Sequence, residues 1–453
     1  MKTQLPFLLL LLCVSRPALA AGISDYFPNC SPAPAQSAGR QLIVDPAARG
    51  QTGYRQILDA VRAAKPGDTI TLMTGDYGSF SLSGGSANGF ITIAAGPGQK
   101  ARFTKISIGG NGTTSHWRLT GLTVTGPNHV NQGNLVLVTN SDNIILDHNN
   151  ISSEEDQFNW RALDDKPTEW PSDGISARQS SCISVLENNL HNVYNGIDFG
   201  GDQAGLHGKF LLAANNKIDN FAADGIDHYG SHVRISGNRI TNGHNLCNNK
   251  CIHNDGIQGW NYNRLPVVNS DIIIEGNSII AQTQPGITLA ADSLQGITIF
   301  DGKWDGVTVS NNLVITNTWH GISFYGVENG KIINNTVAPT NPAYKTWILI
   351  HLGKGDPPGK IYNDVSRNNA IAGNLRRGSP NPDAGNNLVL RWPDEFSQAF
   401  VKFDPEHFAY DMHPAKGSPL IAAGSAEGAP RTDIEGRERR NPVDIGAYAY
   451  IGK

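Results

Sequence analysis

The chain has 453 residues, of which 39% are hydrophobic and 17% are charged, and its formal net charge is −4. The charged share is below the roughly 25% of an average globular protein, whereas glycine is enriched. This composition argues against a helical bundle, a coiled coil or a disordered chain, and an acidic chain lacks the basic surface that nucleic-acid binding requires. The length predicts either two domains or one elongated solenoid.

The first twenty residues have the organisation of a secretory signal peptide. Lys2 supplies a positive start, residues 8–14 form an apolar stretch, and residues 18–20 form a small-residue cleavage site. The apolar stretch is shorter than the ~20 residues of a membrane span, and no later segment is long enough. We therefore expect a secreted or periplasmic protein without a membrane span.

Four cysteines follow the predicted signal peptide, namely Cys30, Cys182, Cys247 and Cys251. An even number in an exported chain indicates disulfides, and four cysteines allow three pairings. The short spacing of Cys247 and Cys251 favours a bridge within one loop, which would leave Cys30 to pair with Cys182. A metal site at the short pair is less favoured, because no second Cys/His pair completes a zinc site.

Residues 54–64 have helical spacing and precede a turn. We expect a short amphipathic helix there that covers the open end of a sheet, since an uncovered sheet edge promotes aggregation.

A motif of asparagine, any residue, and then Ile, Leu or Val recurs through the middle of the chain. It begins at Asn149, Asn188, Asn216, Asn238, Asn277, Asn312, Asn335 and Asn369. The shortest spacings are 22 and 23 residues, too short for helical repeats, and the repeated segments are rich in β-branched residues. Three short strands and three turns fit that length, so each repeat is predicted to be one coil of a parallel β-helix. The asparagines should stack inside a turn, each bonded to its neighbours above and below.

A Gly-Ile step forms a second column in the repeats. Its glycines are Gly174, Gly196, Gly225, Gly256, Gly286 and Gly321. The glycine is expected to permit a tight turn, and the isoleucine to point into the coil. Side chains alternate along a strand, so the next residue should face outward. This gives an outward column of Ser176, Asp198, Asp227, Gln258, Thr288 and Ser323, and two residues further on a second column of Arg178, Gly200, Tyr229, Trp260, Ala290 and Tyr325.

Three local sequences resemble the secreted right-handed parallel β-helix superfamily, which includes polysaccharide lyases, polygalacturonases and alginate C5-epimerases. They are residues 66–70 (PGDTI), 116–122 (HWRLTGL) and 444–448 (DIGAY). With the repeats, the resemblance predicts an all-β, single-domain right-handed parallel β-helix with a short N-terminal capping helix. We expect a cap over residues 21–75, coils over 76–415 and a C-terminal cap over 416–453. Such a resemblance specifies a fold better than a reaction.

Asp198 and Asp227 are the expected centre of a functional site. Adjacent coils lie about 4.8 Å apart, so the two carboxylates should be neighbours on the outer surface, and their repulsion should raise one pKa. Arg178, Tyr229 and Trp260 should flank them. The two acids could instead hold Ca²⁺, which prefers oxygen ligands.

Two insertions, residues 152–172 and 241–254, should form the walls of a groove beside this pair. The first carries aromatic and cationic residues and the second carries two histidines, which suits a sugar polymer, although both could be ordinary surface loops. The expected substrate contacts are Trp260, His253, Asp255, Gln258, His320, Tyr325, Trp170 and Arg161.

Residues 225–229 (GIDHY) resemble the Gly-Ile-Asp-Pro-His element of alginate C5-epimerases. The resemblance implies that Asp227 and His228 serve in proton transfer. The proline is absent here, so His228 comes one residue earlier, where strand alternation would bury it as a core histidine. Tyr229, expected on the exposed side, is the alternative base.

Three functions follow from these features. The first is β-elimination or the related C5 epimerisation on a uronate-containing polysaccharide, with the substrate carboxylate neutralised by Arg178, Ca²⁺ or a protonated acid, and the proton removed by His228 or Tyr229. The second is glycoside hydrolysis by the paired carboxylates, although the Asn-Thr-Asp, Gly-His-Gly and Arg-Ile-Lys elements of polygalacturonases are not found in order. The third is a carbohydrate-binding protein without catalysis.

Overall fold

The protein is described by a computed structural model. It describes residues 22–34, 39–47, 53–85, 89–110, 113–126, 133–154, 171–200, 208–245, 253–260, 267–285, 293–341, 343–360, 362–377 and 383–452. Most regular structure in these ranges is β-strand, arranged mainly in three parallel sheets. Within the same ranges, no helix combines the length and the apolar character needed to cross a membrane.

The chain visits the three sheets in a fixed order. The first sheet contains Gln41–Val44, Thr69–Leu72, Ile91–Ala95, Thr114–Thr120, Ser141–Asp147, Ser181–Leu186, Gly208–Ala214, Gly230–Ser236, Val268–Glu275, Lys303–Ser310, Lys331–Ile333, Val365–Arg367 and Asp383–Gly385, with Val327–Glu328 also paired to Lys303–Ser310. The second contains Gly75–Asp76, Ala101–Phe103, Thr123–Thr125, Asn150–Ser152, Asn189–Val193, Lys217–Phe221, Arg239–Gly243, Ser278–Ile280, Leu313–Thr316, Thr336–Pro339, Ala370–Ile371 and Leu388–Val389. The third contains Ser79–Leu82, Lys105–Ile108, Asn134–Thr139, Asp173–Arg178, Ile197–Phe199, Ile226–His228, Asn254–Trp260, Leu294–Phe300, His320–Tyr325, Trp347–His351 and Asn374–Arg377. Each strand pairs with the strands one coil before and after it, which is the predicted parallel β-helix.

One continuous apolar core runs along the inside of the coils. The third sheet contributes a ladder of inward residues, one from each successive coil, which comprises Ile106, Val136, Ile175, Ile197, Ile226, Ile257, Ile297, Ile322 and Ile348, and a second inward column follows two residues further along each strand. All nine side chains are buried, so the predicted inward direction of the repeated isoleucine is confirmed.

Short helices and a hairpin accompany the coils. The helices are Ile23–Tyr26, Ile57–Ala63 and Asp394–Ala399, with a 3₁₀ turn at Pro405–His407, and the antiparallel hairpin pairs Phe400–Asp404 with Ala409–Pro414. Ile57–Ala63 lies inside the predicted helix of residues 54–64, and its buried face joins the main core.

The coiled sheets begin before residue 76 and end well before residue 415, so both ends lie upstream of the expected boundaries. Gln41–Val44 and Thr69–Leu72 already pair in the first sheet, so coiling begins before residue 76. Leu388–Val389 is the last strand of the second sheet, and the hairpin that follows it packs in a separate apolar cluster upstream of residue 416.

The repeated asparagines form a continuous buried ladder, as predicted. Asn188 illustrates the pattern: its Nδ2 donates to Asn216 Oδ1 at 3.0 Å and to the carbonyl of Leu146 at 2.9 Å. Its Oδ1 accepts from the backbone N–H and the Nδ2 of Asn149, both at 3.0 Å. The bonds continue to Asn387, one coil past the predicted set. Each asparagine thereby satisfies backbone groups at the corner between the first and second sheets.

The glycines of the Gly-Ile step serve a different purpose from the predicted one. Gly174, Gly196, Gly225, Gly256 and Gly321 do not adopt a left-handed backbone. A Cβ on Gly225 would lie 2.5 Å from Ile240 Cγ2 and 2.6 Å from the carbonyl oxygen of Gly256. Glycine is therefore required because neighbouring coils and the second sheet leave no space for a side chain.

The Cys30–Cys182 disulfide is present, as expected from the pairing that was favoured. It fixes the N-terminal segment on the first sheet, where Ile23 and Phe27 pack against Leu212 on the side opposite the main core. The expected Cys247–Cys251 bridge and the signal peptide of residues 1–20 lie outside the described residues.

Candidate functional site

The third sheet presents Asp198 and Asp227 side by side on its outer face. The two residues are register partners in adjacent strands, so about 4.8 Å separates their backbones. The Asp198 side chain is 13% exposed, and Asp227 is half-buried. Asp227 Oδ1 is buried without a hydrogen-bond partner among the described residues. The expected juxtaposition of the two acids is thus present.

The outward column differs from the predicted one at a single coil. Ile257 pairs with Ile297, so Thr298 and Phe300 take the places expected for Thr288 and Ala290. The Gly-Ile step that enters the sheet in this coil is at residues 296–297, whereas Gly286, Thr288 and Ala290 lie outside the described residues. The column comprises Ser107, Leu137, Ser176, Asp198, Asp227, Gln258, Thr298, Ser323, Leu349 and Arg376.

A second row of acids lies where the strands of the third sheet begin, and of its members only Asp255 was expected at the site. Asp173 Oδ1 accepts the backbone N–H of Asn195 at 3.3 Å, and Asn195 Oδ1 accepts that of Asp224 at 3.0 Å. Asp224 Oδ1 accepts the N–H of Asp255 at 2.9 Å. The signal was available, since Asp-Gly-Ile occurs at residues 173, 224 and 255. More carboxyl groups therefore lie close to Asp198 and Asp227 than the predicted pair alone.

Burial and mutual repulsion raise the pKa of several of these carboxyls. Burial raises the pKa of Asp198, and the charge of Arg178 opposes the shift from 3.5 Å. Burial, then the charges of Asp224 and Asp198, raise the pKa of Asp227 well above its ordinary value. Burial and Asp255 do the same for Asp224. The protonated form of these carboxyls is therefore favoured relative to that of an exposed aspartate, and a protonated carboxyl can donate a hydrogen bond.

Asp255 holds a histidine on the rim of the acid cluster. It is fully buried and accepts from His253 Nδ1 at 2.7 Å, from Gln258 Nε2 at 2.9 Å and from Thr298 Oγ1 at 2.7 Å. The hydrogen bond to Asp255 raises the pKa of His253 to about 9, and the His253 side chain is 57% exposed. A cationic imidazolium is thus presented to solvent. Asp255 and Gln258, expected as substrate contacts, instead lie buried behind it.

His228 and Tyr229 do not occupy the positions that the epimerase resemblance implies. His228 is fully buried in the inward column, its ring lies edge-on to Trp304 at 5.6 Å, and burial lowers its pKa to about 3. Among the described residues, neither of its ring nitrogens has a hydrogen-bond partner. Tyr229 is only 4% exposed and packs in the core, because the chain turns there into Gly230–Ser236. The exposed position predicted for Tyr229 was wrong.

Aromatic side chains continue the outer face beyond the acids. Trp260 pairs in register with Phe300, whose ring lies edge-on to Tyr325 at 5.1 Å and to His320 at 5.6 Å. His253 contacts the same Phe300 ring at 6.4 Å. Burial lowers the pKa of His320, and its Nδ1 pairs with a serine hydroxyl. Trp260, His320 and Tyr325 therefore lie near one another, as expected for a sugar-binding surface.

The walls of the predicted groove are only partly described. Both insertions enter the third sheet at its corner with the second sheet, and Ser153 Oγ accepts the N–H of Ser172 at 2.9 Å at the base of the first. Arg161 and Trp170 lie outside the described residues. His244, expected on the second wall, is buried. No set of three or more His, Cys, Asp or Glu side chains in the described ranges is arranged to bind a metal.

No family model matches the chain. An alignment of 222 residues with the uncharacterized protein YclG of Bacillus subtilis (strain 168) has 27% identity and covers 44% of this chain. The match spans 37% of the length of that relative.

Solved structures similar to this chain include a rhamnogalacturonan lyase (10% identity, 91% of this chain and 96% of the other, TM-score 0.48). A pectate lyase is 15% identical over 91% and 97% of the two chains, with a TM-score of 0.39. A mutant of a periplasmic alginate epimerase is 13% identical over 78% and 85%, with a TM-score of 0.36. Polysaccharide lyases and an alginate epimerase are thus among the structures to which this chain is similar.

Proposed function

We propose that the protein is an acid–base enzyme that acts on a uronate-containing polysaccharide by β-elimination or by the related C5 epimerisation. The observation that carries this proposal is the pair of Asp198 and Asp227, adjacent on an outer face with raised pKa values and next to the guanidinium of Arg178. Removing the C5 proton of a uronate requires both a base and neutralisation of the substrate carboxylate. This pair can supply both.

Asp227 is proposed to neutralise the substrate carboxylate. Two carboxyls one strand spacing apart cannot both ionise readily, so they share a proton over a wide pH range. Arg178 lies beside Asp198, whereas the negative charges of Asp224 and Asp198 act on Asp227, so Asp227 holds that proton and can donate it in a hydrogen bond to the substrate carboxylate. Arg178 and the imidazolium of His253 add positive charge, so the face does not repel a polyanion.

Asp198 is proposed as the base. With His228 and Tyr229 in the core, a carboxylate is the titratable group that remains next to Asp227. Arg178 keeps Asp198 ionised, whereas burial brings its pKa closer to neutrality, which suits a general base. The proton therefore passes from the C5 carbon of the sugar to an Asp198 oxygen, and Asp227 and Arg178 stabilise the charge left on the sugar. In elimination the electron pair then forms the C4–C5 double bond while the C4–O4 bond breaks, and the departing oxygen takes a proton from solvent. In epimerisation a proton from solvent returns to C5 on the opposite face.

Glycoside hydrolysis is the second candidate, because the same pair favours it. One protonated and one ionised carboxyl on adjacent strands could act as the general acid and the base or nucleophile of a glycosidase. The products distinguish the two reactions, since elimination leaves an unsaturated uronate and hydrolysis does not.

The test is incubation of the purified protein with polygalacturonate, alginate and neutral polysaccharides. We expect ultraviolet absorbance from an unsaturated uronate, or deuterium exchange at C5 in heavy water, and we expect Asp227→Asn and Asp198→Asn to abolish it. Asp76→Asn, an exposed acid of the second sheet, is the matched control. New reducing ends without unsaturation would establish the hydrolase, and binding without turnover would support the carbohydrate-binding alternative.

A calcium site at Asp198 and Asp227 remains a prediction. The orphaned Asp227 Oδ1 suits a cation, but calcium requires six to eight oxygen ligands and the described residues supply only this pair in register. No step of the proposed reaction uses the metal. Adding a chelator to the same assay tests whether the activity depends on bound calcium.

Export through a cleaved signal peptide is likewise proposed. The Cys30–Cys182 disulfide supports it, because such bonds persist in oxidising compartments.

A further inference from the structure

The outer face of the third sheet ends in an aromatic and cationic cluster that the proposed reaction does not use. It consists of Trp319, Trp347 and Arg376 and is called the tryptophan platform here. The two indole rings lie almost parallel, with centroids 6.4 Å apart and an interplanar angle of 15°. The guanidinium carbon of Arg376 lies 4.1 Å from the centroid of the Trp347 ring. The cluster therefore combines flat apolar surface with a positive charge.

The platform is not explained by packing of the core. The Trp319 side chain is 57% exposed, the highest value among the large hydrophobic residues of the described ranges. Its backbone is fixed, since the Trp319 carbonyl accepts the N–H of Trp347 at 2.8 Å. The Trp347 ring is fixed as well, because its Nε1 donates to Ser323 Oγ at 3.2 Å. The Trp347 ring is thus held in place, and the Trp319 ring stacks on it with apolar surface facing solvent, as in a preformed binding site.

Arg376 supplies the charge that selects the ligand. Within the described parts of the chain, no carboxylate forms a salt bridge with it. Its guanidinium, stacked on Trp347, can offer its edge to a carboxylate through two parallel hydrogen bonds. The apolar face of a sugar ring can pack on an indole at the same time. An anionic sugar satisfies both parts of the platform, whereas a neutral sugar satisfies only one.

We propose that the tryptophan platform is a distal binding site for a uronate unit of the polysaccharide. The proposal rests on the proposed function, since it takes the substrate chain to cross the same face. Trp347 lies four strands beyond Asp227 in the third sheet, which corresponds to about 19 Å. The platform therefore holds a sugar several units away from the reacting one, and the protein binds long chains better than short ones.

The test measures binding on the Asp227→Asn background, so that no turnover occurs. Calorimetry with polygalacturonate, with its short oligomers and with a neutral polysaccharide is compared for this protein and its Arg376→Ala and Trp319→Ala derivatives. Loss of a bidentate charge-assisted contact should weaken binding of the long polyuronate about tenfold or more. Arg431→Ala, at an arginine 86% exposed in the C-terminal region, is the matched control. Circular dichroism verifies that each variant is folded.

Equal affinity of the platform variants and the control for the long polyuronate would overturn the proposal. So would an equal loss of affinity for the shortest oligomers, because these cannot span from Asp227 to Trp347. The proposed function fails separately. If the unsubstituted protein performs no chemistry but its polyuronate binding depends on Arg376, the platform stands and the enzymatic proposal falls.

Discussion

Replacing Asp255 by Asn is expected to remove the positive charge of His253 at neutral pH. The Asp255 carboxylate accepts from His253 Nδ1 at 2.7 Å, and this bond raises the pKa of His253 from 6.5 to about 9. At about pH 7.5, His253 is then almost fully protonated, whereas a histidine with the ordinary pKa is roughly one-tenth protonated. Asp255→Asn should therefore change the charge of the site without changing its shape.

The same pair affects stability. A pKa raised in the folded state stabilises the protein fully below pH 6.5, and this contribution is lost as the pH rises through about 9. Each unit of pKa corresponds to about 1.4 kcal/mol, but solvent screens a side chain that is 57% exposed, so we expect about 1 kcal/mol from the pair. Asp255→Asn should lack this contribution.

The assay is an NMR titration of the histidine ring signals. In the unsubstituted protein the His253 signal should titrate near pH 9, and in Asp255→Asn near its ordinary value. Thr298→Val removes a donor to the other Asp255 oxygen and leaves the His253 bond in place, so His253 should remain protonated in that control. The reasoning is refuted if His253 titrates at its ordinary value in the unsubstituted protein, or if Asp255→Asn leaves its titration unchanged.

Three further predictions concern stability. Asp227→Asn should raise the melting temperature, and the increase should grow as the pH rises above about 4, because the raised pKa of Asp227 destabilises the folded state once the unfolded carboxyl is ionised. The control Asp76→Asn should have no such effect. A lower melting temperature of Asp227→Asn at neutral pH would contradict this account. Asn188→Ala should reduce the free energy of unfolding, measured by urea titration, by about 3 kcal/mol, since it leaves buried backbone groups of the neighbouring coil without hydrogen-bond partners. Asn189→Ala, at the exposed neighbouring residue, should reduce it by less than about 0.5 kcal/mol. Equal losses in the two variants would argue against a stabilising role of the asparagine ladder. Gly225→Ala should destabilise the protein by about 1–3 kcal/mol or prevent folding, and an unaltered urea midpoint would show that the coils can separate to admit a Cβ.

The repeated asparagine made the fold predictable from the sequence. A buried side chain must bond both its own corner and the next coil, and only Asn offers the required donor and acceptor at that distance. Its recurrence therefore reports the coil period directly. The recurrence of the Gly-Ile step likewise indicated which side chains point into the coil. The glycine itself is required by close packing between coils, as at Gly225, and not by a turn conformation.

The candidate site was predictable only where strands are regular. Asp198 and Asp227 lie in the middle of their strands, so alternation and stacking placed them correctly. Tyr229 lies at a corner, where alternation ends and the side chain turns into the core. Thr288 was predicted where Thr298 stands, because Gly-Ile occurs at both residues 286–287 and 296–297 and the motif alone does not indicate which of the two enters the sheet.

From Thr114 onward, every corner between the first and second sheets is two residues long. The asparagine ladder leaves no room there for insertions, because an added residue would move one amide out of reach of the next. Length variation is thus confined to the two corners that border the third sheet. Loops around the outer face of the third sheet can therefore differ in length from coil to coil, while the opposite spine of the coil keeps one geometry throughout.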